Sequence, residues 1–396
     1  MNQQPTRILR IITRLNISSP SLHAILLAER LGSPDYDSRL VYGTVESDDG
    51  DMAYLAEQHQ VNAVIIPVLR RPIHPWRDLV AVWRLYQLMR EFQPDVVHTH
   101  TAKAGFLGRL AARLAGVPVV VHTFHGHNFQ GYFRPGMAWV FVGMERLAAR
   151  WSDTIVTLTE TLRRELAETY HIARRAQITV LPLGLDLSPF VNMSRGCCGF
   201  RQEWNIPADA PLVGIVGRLA AVKNHALFLD AAALIHQKRP DVRFVIVGDG
   251  LTRPEVEAHI ERLGLGAVVT LTGWQRDIPP IYSDLDVLVV SSLSEGTPVP
   301  VIEALVARCP VVATAVGGLP DMLDQGALGT LVPPDDPPAL AEGILATLDN
   351  PPETEAAQAI MLDRYGIDRL VSDLDGLYRG LLARKRRQSG TGKPGA

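Results

Sequence analysis

The sequence has few cysteines, no long apolar run and almost no net charge, and each of these absences excludes a class of protein. Its 396 residues include three cysteines, Cys197, Cys198 and Cys309, without metal-ligand spacing, which argues against a disulfide framework and favours a reducing compartment. No apolar run reaches about 18 residues, so no membrane-spanning helix is predicted, and the N-terminal segment has no signal-peptide pattern. The net charge of −3 gives no general attraction to nucleic acid, and we expect no nucleic-acid partner.

The chain does contain a repeated alternation of short Val/Ile-rich runs with longer helical patterns. The runs lack strict apolar/polar alternation, which is typical of parallel strands covered on both faces. This order predicts a doubly wound α/β fold. The predicted strands are Ile8–Thr13, Arg39–Tyr42, Ala63–Ile66, Asp95–His98, Val117–Val121, Thr154–Thr157, Ile178–Leu181, Leu212–Val216, Val242–Val247, Val268–Leu271, Asp286–Val290, Val311–Thr314 and Gly329–Val332. Helical patterns between them include Asp78–Glu91, Gly105–Leu114, Thr161–Tyr170 and His225–Gln237.

The alternation is interrupted once, between Leu183 and Pro211, by an irregular Gly- and Pro-containing stretch. We therefore predict two α/β domains of similar size. The predicted divisions are an N-terminal domain (1–190), a linker (191–210), a C-terminal domain (211–365), an amphipathic C-terminal helix that packs back on the N-terminal domain (366–388) and a disordered tail (389–396, within "RQSGTGKPGA").

Three strand-end loops of the second domain carry candidate ligand-binding residues, because ligands of open parallel sheets sit at the carboxyl ends of strands. In "VGIVGRLAAVKNH", Arg218 and Lys223 follow a strand and Gly217 allows close backbone approach. The second loop, "VIVGDG", contains Gly248. In the third, residues Gly296–Pro300 lead into a helix, whose first N–H groups favour a phosphate that Arg218 and Lys223 could also hold.

Two glutamates, Glu295 and Glu303, flank this third loop with seven residues between them. Carboxylates are poor partners for phosphate but good acceptors for hydroxyl groups. Glu295 is therefore expected to face a sugar and Glu303, inside the helix, a ribose. A ligand with hydroxyls on both sides of a diphosphate is a nucleotide sugar.

These motifs, in this order, resemble glycosyltransferase family 4, whose two Rossmann-like domains face a cleft in the fold called GT-B. The matching segments are E-x7-E, "GRLAAVKN", "VIVGDG", "LTGW", "LPLGLD" and the run from "PDVVHTH" to "TFHGH", which together span roughly Ile8 to Leu382. The resemblance implies retention of anomeric configuration, no cofactor and no metal. It also implies front-face attack, in which the donor phosphate takes the acceptor proton, with UDP as the expected nucleotide.

The resemblance also assigns the site residues. The implied catalytic set is His125, Glu295, Arg218 and Lys223. The implied donor-binding set is Gly217, Arg218, Lys223, Gly248, Trp274, Arg276, Glu295, Gly296, Thr297, Pro298, Val299 and Glu303, with residues 274–277 framing the base. The acceptor-side set is Ser18, Ser19, His100, Lys103, His125 and His127. Lys103 reaches an anionic acceptor or, equally, is a solvated surface lysine.

One departure lies after the first strand, where relatives often carry Gly-Gly and this chain has Ser18 and Ser19. Serine amides can still donate, but positive φ costs more without glycine, so the sequence leaves open whether this loop contacts the donor phosphate or the acceptor. The histidines His98, His100, His122, His125 and His127 form a dense cluster. Metal binding is the less favoured interpretation of this cluster, and His98 and His100 are expected to hydrogen-bond loop backbone.

Three alternative functions are weighed against the main hypothesis of sugar transfer to a glycan or lipid-linked acceptor in surface polysaccharide or glycolipid synthesis. A glycosidase-type carboxylate pair flanks its bond from two sides, which Glu295 and Glu303 do not suit. A UDP-sugar 2-epimerase and a non-catalytic GT-B binding subunit stay open. The expected location is cytoplasmic, with or without peripheral membrane contact. Residues 128–150 are interpreted either as a segment that contacts the membrane or as a core helix. The basic cluster 383–387 is interpreted either as a contact with anionic lipid or as the usual basic end of a helix. The Asp284-Leu285-Asp286 string is interpreted as structural.

Overall fold

The chain folds into two α/β units, each built on one parallel β-sheet. The computed structural model describes residues 4–32, 34–45, 50–126, 135–191, 193, 196 and 199–390. One unit comprises Met1–Leu185 and Ile367–Ala396, and the other comprises Asp186–Gly366. The predicted fold class, two Rossmann-like doubly wound parallel sheets, is confirmed.

The first unit has a seven-stranded sheet in the spatial order β3-β2-β1-β4-β5-β6-β7, and every pairing is parallel. Its strands are β1 (Thr6–Arg14), β2 (Tyr36–Gly43), β3 (Ala63–Ile65), β4 (Val96–His100), β5 (Val119–Phe124), β6 (Thr154–Thr157) and β7 (Ile178–Val180). Its helices before residue 186 are α1 (Ser19–Arg30), α2 (Ala53–Gln58), α3 (Pro75–Phe92), α4 (Ala102–Ala115), α5 (Pro135–Ala149) and α6 (Glu160–Arg164). A π-helical turn (Glu165–Thr169) continues α6, and a 3₁₀ turn (Arg175–Gln177) precedes β7.

The central strands of this sheet are covered on both faces, as their unbroken apolar runs predict. All five residues of β4 are buried, and Val97 pairs with Leu9 on one side and Val120 on the other. One face is packed by apolar side chains of α3 and α4, such as Leu85 and Leu107. Because the faces are covered, and because open parallel sheets bind ligands at the carboxyl ends of their strands, a site in this unit is expected at the ends of β1, β4 and β5.

The second unit has a six-stranded parallel sheet in the order β10-β9-β8-β11-β12-β13. Its strands are β8 (Leu212–Val216), β9 (Arg243–Val247), β10 (Val269–Gly273), β11 (Val287–Val290), β12 (Val311–Thr314) and β13 (Thr330–Val332). Its helices are α7 (Ser188–Val191), α8 (Phe200–Glu203), α9 (His225–Lys238), α10 (Arg253–Leu263), α11 (Pro279–Asp284), α12 (Val299–Val306), α13 (Leu319–Met322), α14 (Pro337–Asp349) and α15 (Glu355–Tyr365). Short 3₁₀ turns lie at Ala221–Lys223 and Asp324–Gly326.

The stretch predicted as a linker, 191–210, belongs to the second unit instead. Phe200 is buried, and the Arg201 backbone N–H donates to Asp284 Oδ2 at 3.0 Å. The Arg201 guanidinium donates to Asp286 Oδ2 at 2.9 Å. These contacts fix the start of α8 to the junction of α11 and β11, and they give both aspartates the structural role that the sequence predicts.

The last helix, α16 (Ile367–Gly390), returns to the first unit. Leu370, Leu374 and Tyr378 are buried against that unit's sheet and α1, which the amphipathic pattern predicts. The helix is two residues longer than predicted, because residues 389 and 390 of the expected tail are helical, while 391–396 lie outside the described residues. Among the helices described, none combines the length and the apolar character required to cross a membrane.

Candidate functional site

The loops after β8 and β11 meet at the carboxyl edge of the second sheet. β8 lies between β9 and β11 in this sheet, so the chain proceeds in opposite directions from these two neighbouring strands. Doubly wound sheets bind ligands in the crevice formed at such a switch point. The loop after β8 carries Arg218 and Lys223, and the loop after β11 carries Glu295.

Lys223 and Glu295 form an ion pair across these two loops. Lys223 Nζ lies 2.6 Å from Glu295 Oε1, and the two side chains are 25% and 10% exposed. The Ser292 hydroxyl donates to the same Oε1 at 2.6 Å. The Ser291 hydroxyl donates to the Lys223 carbonyl at 2.9 Å, which fixes the two loops to each other. Ser292 was not predicted as a site residue, since its role depends on a distance that a sequence does not reveal.

The start of α12 offers several unused hydrogen-bond donors beside this pair. The backbone N–H groups of Gly296, Thr297 and Val299 make no hydrogen bond within the described part of the chain. The Thr297 hydroxyl is buried, also without a partner among those residues. Pro298 lacks an N–H, so it shapes the turn rather than donating. This arrangement suits an oxyanion, which the positive end of the helix stabilises further.

A glycine pair after β12, Gly317 and Gly318, packs against the backbone of the Glu295 loop. This pair was not predicted from the sequence. The Gly318 N–H donates to the Glu295 carbonyl at 2.9 Å. A Cβ on Gly317, whose φ is +56°, would lie 1.9 Å from that carbonyl oxygen, and one on Gly318 would lie 2.1 Å from the Gly296 oxygen. The available signal was a Gly-Gly pair three residues after a buried strand, comparable to the single Gly217 that marked the loop after β8.

Gly217 and Gly248 bring the loops after β8 and β9 into backbone contact. The Gly217 N–H donates to the Val247 carbonyl at 2.9 Å. A Cβ on Gly248 would lie 2.0 Å from the Gly217 oxygen, so a larger residue would displace the loop that carries Arg218. The structure therefore gives Gly248 a packing role beneath the predicted donor site.

Arg218, Trp274 and Arg276 present exposed side chains on this side of the second unit. Arg218 makes no hydrogen bond or ion pair with any described residue. Trp274 is 43% exposed and directly follows β10, the edge strand two positions from β8. Arg276 follows Trp274 by two residues. The structure places all three on strand-end loops, as predicted, and Arg218 makes no bond to the Lys223–Glu295 pair.

Glu303 lies one turn inside α12 and receives a hydrogen bond from a buried tyrosine. The Tyr282 hydroxyl donates to Glu303 Oε2 at 2.9 Å. Burial raises the pKa of Glu303 to about 7, and the hydrogen bond from Tyr282 only partly opposes this shift. A carboxyl group with such a pKa changes charge near neutral pH. Tyr282 was not predicted from the sequence, because it comes from a different helix, α11.

A second candidate site lies in the first unit, where His23, His100 and His125 converge. His100 Nδ1 lies 3.1 Å from His125 Nε2, and the His23 and His125 ring centres are 4.9 Å apart. Burial lowers the pKa of His23 and His100 well below its usual value and that of His125 to about 3. All three rings are therefore neutral near pH 7, and each keeps one nitrogen without a partner among the described residues. His23, on α1, was missed from the sequence.

The potential metal ligands in the described residues are these same three histidines, which each offer one nitrogen, and these three nitrogens lie within 4.8 Å of one another. This trio differs from the set considered from the sequence. Burial is the main cause of the lowered pKa of His23 and His100. The buried Arg10 adds a smaller electrostatic contribution, and the same positive charge opposes a bound cation. The geometry admits a metal ion, whereas the local charge favours hydrogen bonding to a neutral or anionic group.

His98 and His122 are core histidines with side-chain partners. His98 contacts the Tyr378 hydroxyl at 2.5 Å and Thr123 Oγ1 at 2.7 Å, and Arg10 Nη1 lies 3.2 Å from His98 Nδ1. His122 Nδ1 pairs with Thr99 Oγ1 at 2.8 Å. The prediction that His98 and His100 bond only to loop backbone is wrong, because neighbouring strands bring side chains within reach.

Ser18 and Ser19 adopt unstrained conformations, which corrects the expected cost of losing glycine. Ser18 has a φ of −165° and caps α1, and Ser19 is the first residue of that helix. Neither occurs among the residues with positive φ. The Ser18 hydroxyl is engaged with Asn16 Oδ1 at 3.1 Å and Ser21 Oγ at 3.1 Å.

Lys103 is neither solvated nor free. Its Nζ lies 2.6 Å from Asp78 Oδ1, and it donates to the Pro72 carbonyl at 2.6 Å. The interpretation as a solvated surface lysine is wrong, because the start of α3 folds over it. An anionic acceptor would have to break this pair to reach it. His127 lies outside the described residues.

Comparisons with known proteins agree with this architecture. A model described as Glycosyltransferase Family 4 matches residues 21–189, and one described as Glycosyl transferases group 1 matches residues 210–350. The UDP-Gal:alpha-D-GlcNAc-diphosphoundecaprenol alpha-1,3-galactosyltransferase of Escherichia coli is 33% identical over 261 residues, which cover 65% of this chain and 67% of that protein. The alpha-D-kanosaminyltransferase of Streptomyces kanamyceticus is 27% identical over 353 residues, covering 82% and 90%.

Solved structures show the same fold. The crystal structure of an Anabaena protein in complex with UDP-glucose superposes with a TM-score of 0.80 at 23% identity and covers 94% of this chain and 99% of that one. The sucrose-phosphate synthase of Thermosynechococcus elongatus gives a TM-score of 0.80 at 20% identity, covering 96% and 100%.

Proposed function

The chain belongs to glycosyltransferase family 4 and has the GT-B fold, and from this premise we propose that it moves a sugar from UDP onto a glycan carried by a lipid diphosphate. The observation that carries the proposal is the pairing of Lys223 with Glu295 beside the unused N–H groups at the start of α12. This combination offers donors for a diphosphate and an acceptor for sugar hydroxyls within one small region.

The diphosphate of the donor is held by Lys223, Arg218 and the amides of Gly296, Thr297 and Val299. Charge-assisted hydrogen bonds from these groups strengthen as negative charge develops on the leaving diphosphate. The Thr297 hydroxyl, buried and without a partner among the described residues, completes this set. The protein thus stabilises the transition state by fixed charges and dipoles.

The two glutamates recognise the hydroxyl groups on either side of the diphosphate. Glu303 accepts from the ribose, and Glu295 accepts from the transferred sugar through Oε2, since Oε1 already receives Lys223 and Ser292. Trp274 and Arg276 contribute to the pocket for the base.

Transfer retains the anomeric configuration and uses no metal ion. The acceptor oxygen forms a bond to the anomeric carbon on the face that the diphosphate leaves, and its proton passes to an oxygen of the departing diphosphate. His125, neutral because burial lowers its pKa to about 3, hydrogen-bonds a sugar hydroxyl rather than supplying a charge. His100 positions the His125 ring through their 3.1 Å contact, and Ser18 and Ser19 lie on the acceptor side.

The choice of donor and acceptor follows the relatives. The E. coli relative is named for a UDP-Gal donor and a diphosphoundecaprenol-linked acceptor, and the Anabaena structure contains UDP-glucose. A lipid-linked acceptor places the enzyme in the cytoplasm, in peripheral contact with the inner face of a membrane, where surface polysaccharides or glycolipids are assembled.

The test is transfer by the purified full-length chain from a panel of UDP-sugars to a prenyl-diphosphate-linked saccharide, with UDP release and product mass as readouts. We expect product from at least one UDP-sugar, with the same anomeric configuration as the donor by NMR. Excess EDTA should leave the rate within about twofold, since the diphosphate is neutralised by Lys223 and Arg218. An epimerised free UDP-sugar without any transfer product would indicate an epimerase. Absence of UDP binding would indicate a non-catalytic GT-B subunit.

A further inference from the structure

Helix α3 presents a second apolar face that nothing described in the chain covers. Trp76, Leu79, Val80 and Trp83 follow the spacing i, i+3, i+4, i+7, which places them on one side of the helix. They are 76%, 62%, 45% and 56% exposed, and Ile73, just before the helix, is 65% exposed. We call this set the α3 outer face.

The residues of the α3 outer face do not contribute to the packing of the hydrophobic core in the described part of the chain. The opposite side of the helix supplies the core contacts, through the buried residues Ala81, Val82, Leu85, Met89 and Phe92. A monomeric protein seldom exposes so large a contiguous apolar surface unless it binds something. The two tryptophans matter most, because exposed indole rings are favoured at a membrane–water interface.

The charge around this face is positive. Arg70, Arg71, Arg84 and Arg90 are exposed on α3 or just before it, and they outnumber the one exposed carboxylate of the helix, Glu91. The nearby carboxylate of Asp78 is already paired with Lys103 at 2.6 Å, so it cancels little of this charge. Apolar and aromatic side chains bordered by arginines are typical of a surface that lies in the headgroup region of an anionic bilayer.

We propose that the α3 outer face is the surface by which this protein docks on an anionic phospholipid bilayer. Its tryptophans and aliphatic side chains enter the interface, and the arginines bind lipid phosphates. The proposal rests on the proposed function in one respect, because a lipid-linked acceptor supplies the reason to dock. It differs from the sequence-based alternatives, which assigned membrane contact to residues 128–150 or 383–387.

The structure also connects this face to the histidine cluster within the first unit. Lys103 binds both Asp78 of α3 and the carbonyl of Pro72, and it lies three residues after His100. The start of α3 is thereby fixed to the start of α4. A bilayer on the α3 outer face would hold a lipid-linked saccharide next to the part of the unit that carries His100 and His125.

The experiment is flotation of the full-length chain with phosphatidylcholine vesicles that contain or lack phosphatidylglycerol. Trp76→Ser/Trp83→Ser is compared with the wild type and with Trp139→Ser, a matched tryptophan that is 65% exposed on α5. We expect wild type to bind the anionic vesicles, the double variant to bind at least about tenfold more weakly, and Trp139→Ser to bind within about twofold of wild type. Binding should weaken with salt, since the arginines contribute.

Brominated lipids give an independent readout of insertion. They should quench the fluorescence of wild type but not that of Trp76→Phe/Trp83→Phe, which keeps the apolar face. Equal vesicle binding by wild type and the Ser double variant overturns the proposal, as does loss of binding only in Trp139→Ser. A wild-type dimer that ignores vesicles and is dissociated by the double substitution would assign the face to a second copy of the chain.

UDP-dependent thermal stabilisation, measured in the same samples, separates this proposal from the enzymatic one. Normal stabilisation with no vesicle binding rejects docking alone. Vesicle binding without stabilisation by any nucleotide rejects the proposed function alone.

Discussion

Lys223 Nζ lies 2.6 Å from Glu295 Oε1, although the two residues are 72 positions apart in the chain. The pair joins the loops after β8 and β11 at the switch point of the second sheet. It also means that the proposed phosphate ligand and the proposed sugar-hydroxyl ligand are adjacent. A donor that engages both must place its sugar and its diphosphate close together, as a nucleotide sugar does.

Lys223→Ala is expected to weaken UDP binding about 10- to 100-fold. A hydrogen bond to a charged group contributes about 1.5–3 kcal/mol, which corresponds to this range. Isothermal titration calorimetry with UDP measures it directly. Lys238→Ala, an exposed lysine at the end of α9, is the matched control and should bind as wild type does. Unchanged UDP affinity in Lys223→Ala would remove this residue from the donor site.

Glu295→Gln is expected to separate binding from transfer. The substitution removes a negative charge beside Lys223 but keeps the diphosphate donors, so UDP affinity should stay within several-fold of wild type or rise. The transfer rate should fall at least about 100-fold, since the hydroxyl groups of the sugar lose their charged acceptor. Steady-state kinetics with a UDP-sugar would show this in kcat, whereas an effect on KM alone would contradict the assignment.

UDP affinity should fall as the pH is lowered from 8 to 6, through the titration of Glu303. Its pKa is raised to about 7, so the empty site gains a proton as the pH falls through 7. If the carboxylate accepts ribose hydroxyls, binding requires the ionised form, and affinity declines by up to about tenfold per pH unit below 7. Titrations of wild type and Glu303→Gln at several pH values test this. Protonation of UDP affects both proteins equally, so identical slopes would refute the role.

The first unit should lose stability as the pH falls below about 6.5. Burial lowers the pKa values of His23, His98, His100 and His122 well below normal, and that of His125 to about 3. The unfolded chain takes up protons on these histidines below pH 6.5, whereas the folded unit does not, so unfolding is favoured by up to about 1.4 kcal/mol per histidine per pH unit. Glu303 in the other unit acts in the opposite direction, because its pKa is raised.

Differential scanning calorimetry from pH 8 to pH 5 checks this acid sensitivity. The melting temperature should be nearly constant above pH 7 and should decrease steeply below pH 6.5. His125→Asn should show a shallower decrease, since one protonation site is removed from the unfolded state. A melting temperature that does not change between pH 7 and pH 5 would contradict the buried, neutral cluster.

Gly317→Ala should impair the donor site although Gly317 was not predicted to belong to it. The new Cβ would lie 1.9 Å from the Glu295 carbonyl oxygen at a residue whose φ is +56°. We expect a loss of about 1–3 kcal/mol in stability and a clear loss of UDP binding. Gly266→Ala, where a Cβ would meet nothing within 4 Å, is the control for which little change is expected. Thermal unfolding with and without UDP distinguishes the two variants.

The strand predictions succeeded because burial on both faces requires unbroken apolar runs. β6, β8 and β12 have the bounds that were predicted, since polar, proline or glycine residues stand next to each run. The end of α16 was misplaced, because a charged, Gly-containing tail gives no sharp stop signal. The stretch 191–210 was taken for a linker, because its anchor, Arg201, binds aspartates more than 80 residues away.

Sequence order alone determined the two parallel sheets, the strand-end loops that carry candidate ligands and the position of Glu295 and Glu303 around a helix start. These follow from local periodicity and from the rule that parallel strands end at one edge. Only the tertiary structure decided which side chains meet. It joined Lys223 to Glu295 and Ser292, placed Tyr282 on Glu303, brought His23 to His100 and His125, and paired Lys103 with Asp78. Such contacts depend on distances of a few ångströms between elements far apart in the chain, and no pattern within one element encodes them.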